Sequence, residues 1–298
     1  MSPLPGRPRP VCRGTADLKK LAAPAPGRLR STAVDSFVPT LALFALVISA
    51  AAAALRYLPR AAFWVSALLA LAFPFLSDTS DWDTWFDWAK RYSVVIPVFI
   101  LATIRYRPDH PASRVFARWM PWVLIVNILE GAALDLLGPS PVNGACLAAV
   151  ALLVPWRFTW DEPSRHLGFR DPLWQVATLS ALTRLYVLNP QFENVVACAI
   201  VVLWLTSLAC LLERDSQGYT TWRGYTLYVL VLQDSIFPSF SERLYPAWLL
   251  PENRARLAGT TWGDAWLVLN VLLVAAVVLL RVRAWRAART TAAAVSRA

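Results

Sequence analysis

The chain has 298 residues, 57% of them hydrophobic and only 16% charged, with a net charge of +10. Apolar runs recur from residue 36 to residue 280, which excludes a soluble globular domain and describes a polytopic membrane protein. The positive excess sits at the two ends and in short loops rather than along one folded face, so it fits topology and contact with anionic membrane lipids, and it excludes a nucleic-acid binder.

Residues 1–35 are rich in Pro, Arg and Ala and lack an apolar period, as expected of a disordered basic tail or a stretch upstream of the true start. Apolar runs at 36–55 and 61–77 form a helical hairpin around the tight Arg56–Arg60 turn. The segment 77–91 carries Asp78, Asp81, Asp83 and Asp87 between tryptophans and is too charged to span, so it belongs at the membrane surface. Carboxylates at this density can hold magnesium for a diphosphate, as in prenyl-transferring membrane enzymes. Here Ser77 stands in place of the Asn of their motif, the spacing departs from it, and a second Asp-rich motif is missing, so solvated interfacial carboxylates are the favoured reading.

Further runs follow at 92–106, interrupted by Pro97, and at 119–138, 143–157, 172–189, 193–212, 222–240, ended by Pro238, and 262–280. The fold class is therefore all-α, a polytopic transmembrane helical bundle of about eight to nine spans over residues 36–284, with a basic cytoplasmic tail at 285–298. The expected location is the cell membrane, with multiple passes. Arginines in the short loops place the segments around Arg114, 157–170, 214–223 and the C-terminus inside. Nine spans then leave the basic N-terminus outside, against the rule, so either the first hairpin is miscounted or the long tail escapes it.

Trp119 to Gly138 reads as a spanning helix with one carboxyl, Glu130, near its middle. A charge there costs about 2.5–3.5 kcal/mol on insertion scales, so Glu130 must be neutral, paired or facing a wet cavity. Asn127 shares its face, and Gly131 lets another backbone or a ligand approach. A neutral acid held by an amide can act as a general acid or a proton relay, and this reading is favoured over a structural pairing with Arg184. Asp234, flanked by Gln233 and Ser235, is a second acid for which a snorkelling or capping role is equally good. Arg184, among Ser180, Thr183 and Tyr186, is the expected counter-charge to Glu130 or Asp234, or a contact for an anionic head group. Substrate contacts are expected from Asn127, Arg184, Tyr186 and Gln233. The two histidines, His110 and His166, lie in loops, and the four cysteines show no Cys-x-x-Cys spacing, so neither a metal nor a cofactor is expected.

Several segments carry a resemblance together: Asp83 to Ser93, Val126-Asn-Ile-Leu-Glu130, Asp171-Pro-Leu-Trp with Tyr186-Val-Leu-Asn189, and Arg223-Gly-Tyr-Thr-Leu227 leading to Phe237-Pro-Ser-Phe240. Over roughly residues 60–245 they resemble an uncharacterised family of bacterial polytopic membrane proteins, a domain of unknown function, which implies the architecture and no activity. Asn127-Ile-Leu-Glu130 is also similar to the Asn-Ile-x-Trp-Glu block of the small membrane-bound terpene cyclases of meroterpenoid and indole-diterpene pathways. It is one residue shorter and lacks the Trp. That similarity implies a proton-donating role for Glu130 and a supporting one for Asp234.

Two functions are thus expected from different classes. One is a membrane enzyme that cyclises a lipophilic, isoprenoid-like substrate by protonation from Glu130, in a cavity lined by aromatic rings that stabilise cations. The other is a small-solute or proton-coupled transporter with Glu130 and Arg184 along its pathway.

Overall fold

Prolines set where several helices begin. Pro111, Pro141 and Pro172 each occupy a first helical turn, where the missing N–H costs nothing, and His110 and Asp171 accept hydrogen bonds from the backbone amides of Ala112 and Trp174. A computed structural model describes residues 28–76, 82–190, 196–236, 257 and 259–295. Among them nine α-helices follow in order: α1 (Arg28–Tyr57), α2 (Pro59–Leu76), α3 (Trp82–Tyr106), α4 (Pro111–Leu136), α5 (Pro141–Leu152), α6 (Pro172–Leu188), α7 (Val196–Glu213), α8 (Tyr219–Ile236) and α9 (Thr261–Val295). Between α5 and α6 two short strands, β1 (Thr159–Asp161) and β2 (His166–Gly168), pair antiparallel with Trp160 opposite Leu167.

Each of the nine apolar runs becomes a helix, with three differences at the ends. First, α1 begins at Arg28, inside the stretch expected to be a disordered tail; residues 1–27 lie outside the described residues. Second, from Trp82 onward the expected surface segment is the first part of α3, which passes through Pro97 unbroken. Pro39 and Pro121 are likewise accommodated inside α1 and α4, as neighbouring helices and local adjustments permit in membrane bundles. Residues 77–81 and the side chains of Asp83 and Asp87 lie outside the described residues, as does Pro238. Third, α9 continues to Val295, so the expected C-terminal tail starts as helix.

Contacts along the helices fix their directions. Phe44 and Ile48 of α1 pack with Ala197, Cys198 and Val202 of α7, while Arg56 meets Glu213, so these two helices run the same way. Phe63 stacks near Phe99 and Tyr106, and Tyr92 donates to the Ala70 carbonyl, so α2 and α3 are antiparallel. The α4–α5 loop is tight, and Gly144 is pressed against the α4 backbone: a Cβ there would lie 2.5 Å from the Leu136 nitrogen and 2.8 Å from the Ala132 oxygen. Arg281 of α9 bonds the Leu153 carbonyl and the Asp171 carboxylate. One end of the bundle therefore gathers the α3–α4 turn, the β-hairpin, the α7–α8 turn and the basic part of α9. This is the grouping of arginines that the loop charges call for. Since α1 runs toward this end, its start lies at the other one, as a nine-helix count requires.

Among the described residues, four helical stretches are long and apolar enough to cross a membrane: Phe37–Tyr57, Pro111–Leu136, Val196–Glu213 and Thr261–Thr290, with shorter apolar helices at Pro59–Ala72 and Pro141–Leu152. The stretches of α1 and α9 are mostly exposed, presenting Leu43, Leu46, Leu269 and Leu272 on the outside. An apolar exterior of this extent needs lipid to cover it, and the protein is a membrane protein on that ground. Most of the core lies where α3, α4, α5, α6 and α8 meet, around Leu101, Ile128, Leu147, Trp174 and Tyr225.

Candidate functional site

Gly224 brings α8 close to α3: a Cβ there would sit 3.2 Å from Leu101 Cδ2 and 3.6 Å from Val98 Cγ2. Beside this contact, α4 stands off enough to leave a narrow, partly open cleft with about 60 Å³ of free space. Ser93, Pro97, Val98 and Leu101 line it from α3, Met120, Val123, Leu124 and Asn127 from α4, and Thr220, Arg223 and Leu227 from α8. Ser93 and Leu101 are eight residues apart, so the α3 wall runs about 12 Å along the helix axis. The walls are aliphatic except at the two ends. Thr220 and Arg223 stand at the basic end of the bundle, and Asn127 and Ser93 stand deeper.

Glu130 lies one turn beyond Asn127 on the same α4 stripe, and it is exposed on the bundle rather than buried in it. The expectation of a buried acid, held by an amide or else paired with Arg184, is corrected accordingly. The buried carboxylate of α4 is Asp135, 1% exposed. It accepts from Asn143 Nδ2 at 2.7 Å and Asn189 Nδ2 at 3.2 Å. Asn143 in turn accepts from Asn270 Nδ2 at 2.8 Å, and Asn270 accepts from the Ser180 hydroxyl at 2.6 Å. Arg184 is buried here, donates to the Ser140 hydroxyl and is electrostatically coupled to Asp135 and Asp264. Gly131, expected to admit a neighbour, admits Leu185 of α6.

The remaining expected residues are dispersed. Asp234 faces Arg91 of α3 at 3.9 Å rather than Arg184. Tyr186 is half-buried against Val187, Leu188 and Val196, and Gln233 is half-buried on α8; neither lines the cleft. Of the expected substrate contacts the cleft brings in Asn127 alone, and among the described residues that line it there is no aromatic ring.

A second polar cluster, missed by the sequence reading, lies under the β-hairpin. Glu213 accepts at 2.8 Å from Trp222 Nε1 and at 3.3 Å from the Tyr57 hydroxyl, and Arg56 Nε approaches to 3.4 Å. His166 Nε2 lies 2.8 Å from the same carboxylate and 3.0 Å from Arg56 Nη2. His166 Nδ1 lies 3.3 Å from the Thr221 hydroxyl. Arg105, fully buried, donates to the backbone oxygens of Arg56 and Arg165 and to the Tyr225 hydroxyl. These contacts form a clamp tying α1, α3, α7 and α8 to the hairpin. At the hairpin turn, the Ser164 side chain and backbone both donate to Asp161 and hold its carboxyl below the usual carboxylate range. The one sequence signal for this cluster was His166 in the basic loop.

Residues 30–142 match a family of unknown function (DUF5692). The match spans α1 to α4 and the start of α5, and so takes in the α3 and α4 walls of the cleft and the Asn127–Glu130 block, while Arg223 lies beyond it. It agrees with the resemblance to an uncharacterised family. No curated protein and no solved structure matches the chain.

Proposed function

We propose that the protein is a multi-pass protein of the cell membrane, basic end in the cytoplasm, and an enzyme that acts on a lipophilic, isoprenoid-like substrate drawn from the bilayer into the cleft. The observation that carries this reading is the α4 stripe: Met120, Val123, Leu124 and Asn127 wall an aliphatic cleft, and the next turn of the same stripe presents Glu130. In its protonated form Glu130 gives its proton to an alkene carbon or an epoxide oxygen near the deep end of the bound chain. The electron pair of the alkene, or of the breaking C–O bond's oxygen, forms the new bond to hydrogen and leaves a carbocation. A second double bond of the substrate closes on that cation, and loss of a proton from a neighbouring carbon to the Glu130 carboxylate ends the reaction and restores the acid.

Lipid extracts of membranes carrying wild-type, Glu130→Gln or Glu130→Asp protein test this. The wild type is expected to convert one apolar species that Glu130→Gln leaves untouched, with partial conversion by Glu130→Asp. Identical extracts from wild type and Glu130→Gln would remove Glu130 as proton donor. A carrier is the second reading, favoured by the buried polar chain from Asp135 through Asn143 and Asn270 to Ser180. It predicts substrate-dependent uptake or pH change in proteoliposomes without any new product.

A further inference from the structure

Four arginines are buried among the described residues: Arg56, Arg105, Arg184 and Arg223. Three are bonded within the protein: Arg56 to the Ser164 carbonyl and Glu213, Arg105 to two backbone oxygens and Tyr225, and Arg184 to Ser140. Arg223 differs. It is 7% exposed and lines the cleft, yet among the described residues its guanidinium has neither a hydrogen bond nor an ion pair. A guanidinium in this position offers five donors in a planar fork that matches carboxylate and phosphate oxygens.

Its surroundings favour the same kind of ligand. Thr220, 6% exposed, lines the cleft one turn before Arg223 and adds a hydroxyl. Both lie in the first two turns of the 18-residue α8. From there Leu101, Val98 and Leu124 lead to the uncharged Asn127 and Ser93. One end of the cleft is cationic, its body is apolar, and its far end is neutral and polar.

We propose that Arg223 receives the terminal oxyanion, phosphate or carboxylate, of an amphiphile whose apolar chain fills the cleft. This rests on the reading of the cleft as the site for a lipophilic substrate, and it adds which end enters where: the anion lies at the start of α8, near the basic face of the bundle, and the chain end points toward Asn127 and Glu130. Arg223 is thus a binding residue that sets the register of the chain, and Glu130 acts at the opposite end.

The test uses the full chain in non-ionic detergent and three probes: farnesyl monophosphate, farnesol and inorganic phosphate. The wild type is expected to bind farnesyl monophosphate about ten-fold or more tightly than farnesol, a difference typical of one desolvated charge-assisted contact. Arg223→Gln is expected to abolish that preference and Arg223→Lys to keep part of it, while farnesol binding stays at the wild-type level in both and shows that the variants are folded. Equal binding of farnesol and farnesyl monophosphate by the wild type, or a preference that survives Arg223→Gln, overturns the anion receptor and leaves the lipophilic cleft standing. Binding of neither overturns both. Inorganic phosphate binding as tightly as farnesyl monophosphate, and lost in Arg223→Gln, would make this a free-anion site and overturn the amphiphile.

Discussion

Glu213→Ala is expected to destabilise the protein by about 3–5 kcal/mol, the cost of breaking a buried ion pair from one side. Four groups converge on this carboxylate: His166 Nε2, Trp222 Nε1, the Tyr57 hydroxyl and Arg56 Nε. Removing it leaves the Arg56 guanidinium and the His166 ring buried without that partner. It also leaves the hairpin tied to α1 mainly by the Arg56 to Ser164 carbonyl bond. Glu213→Gln keeps the acceptor oxygen and is expected to lose less. Unfolding in mixed micelles with a titrated denaturing detergent reads the difference, and the double variant Glu213→Ala with Arg56→Met should recover part of the loss, because it strands one cation fewer. A Glu213→Ala protein within 1 kcal/mol of wild type would mean that the cluster does not hold the hairpin.

Asp135→Ala is expected to cost about 3 kcal/mol, the scale for stranding buried donors that face a charged group. Asn143 and Asn189 both point amide hydrogens at Asp135, and Asn143 is itself held by Asn270 of α9, so the loss runs across α4, α5, α6 and α9. Arg184 loses the nearer of its negative neighbours at the same time. The same detergent titration measures it. Asn143→Leu should be comparably harmful, since it removes the donor to Asp135 and the acceptor for Asn270 together. If Asp135→Ala unfolds with the wild type, the network contributes nothing to packing, and the carrier reading gains, because polar residues kept without a stability role need a functional one.

The helices were legible because each apolar run is long and proline marks several of the starts, as at Pro111, Pro141 and Pro172. The hairpin was not, since strands of three residues inside the Arg157–Arg170 loop leave no period to read. The rotation of α4 was hidden for a different reason. The helix is apolar nearly all round, so its sequence does not say which side faces inward. Asp135, five residues after Glu130, lies well around the helix from it, and packing by Ile128, Gly131 and Ala132 turned Asp135 in and Glu130 out. Asn127 was found because it shares the Glu130 face, and that face does border a cleft. Arg223 stood in the sequence as one more loop arginine. Only the packing of α8 against α3 at Gly224 shows that it lies inside the protein, with no hydrogen bond to its guanidinium among the described residues.

The central claim is that a lipophilic chain occupies the space between α3, α4 and α8. A diazirine-bearing isoprenoid alcohol, photolysed with the full-length protein and mapped by peptide mass spectrometry, tests it most directly. Adducts should concentrate on the α3 and α4 peptides around Val98, Leu101 and Leu124 and fall when Val123→Trp fills the cleft. Adducts spread over the outward leucines of α1 and α9, with no excess at the cleft and no response to Val123→Trp, would contradict it.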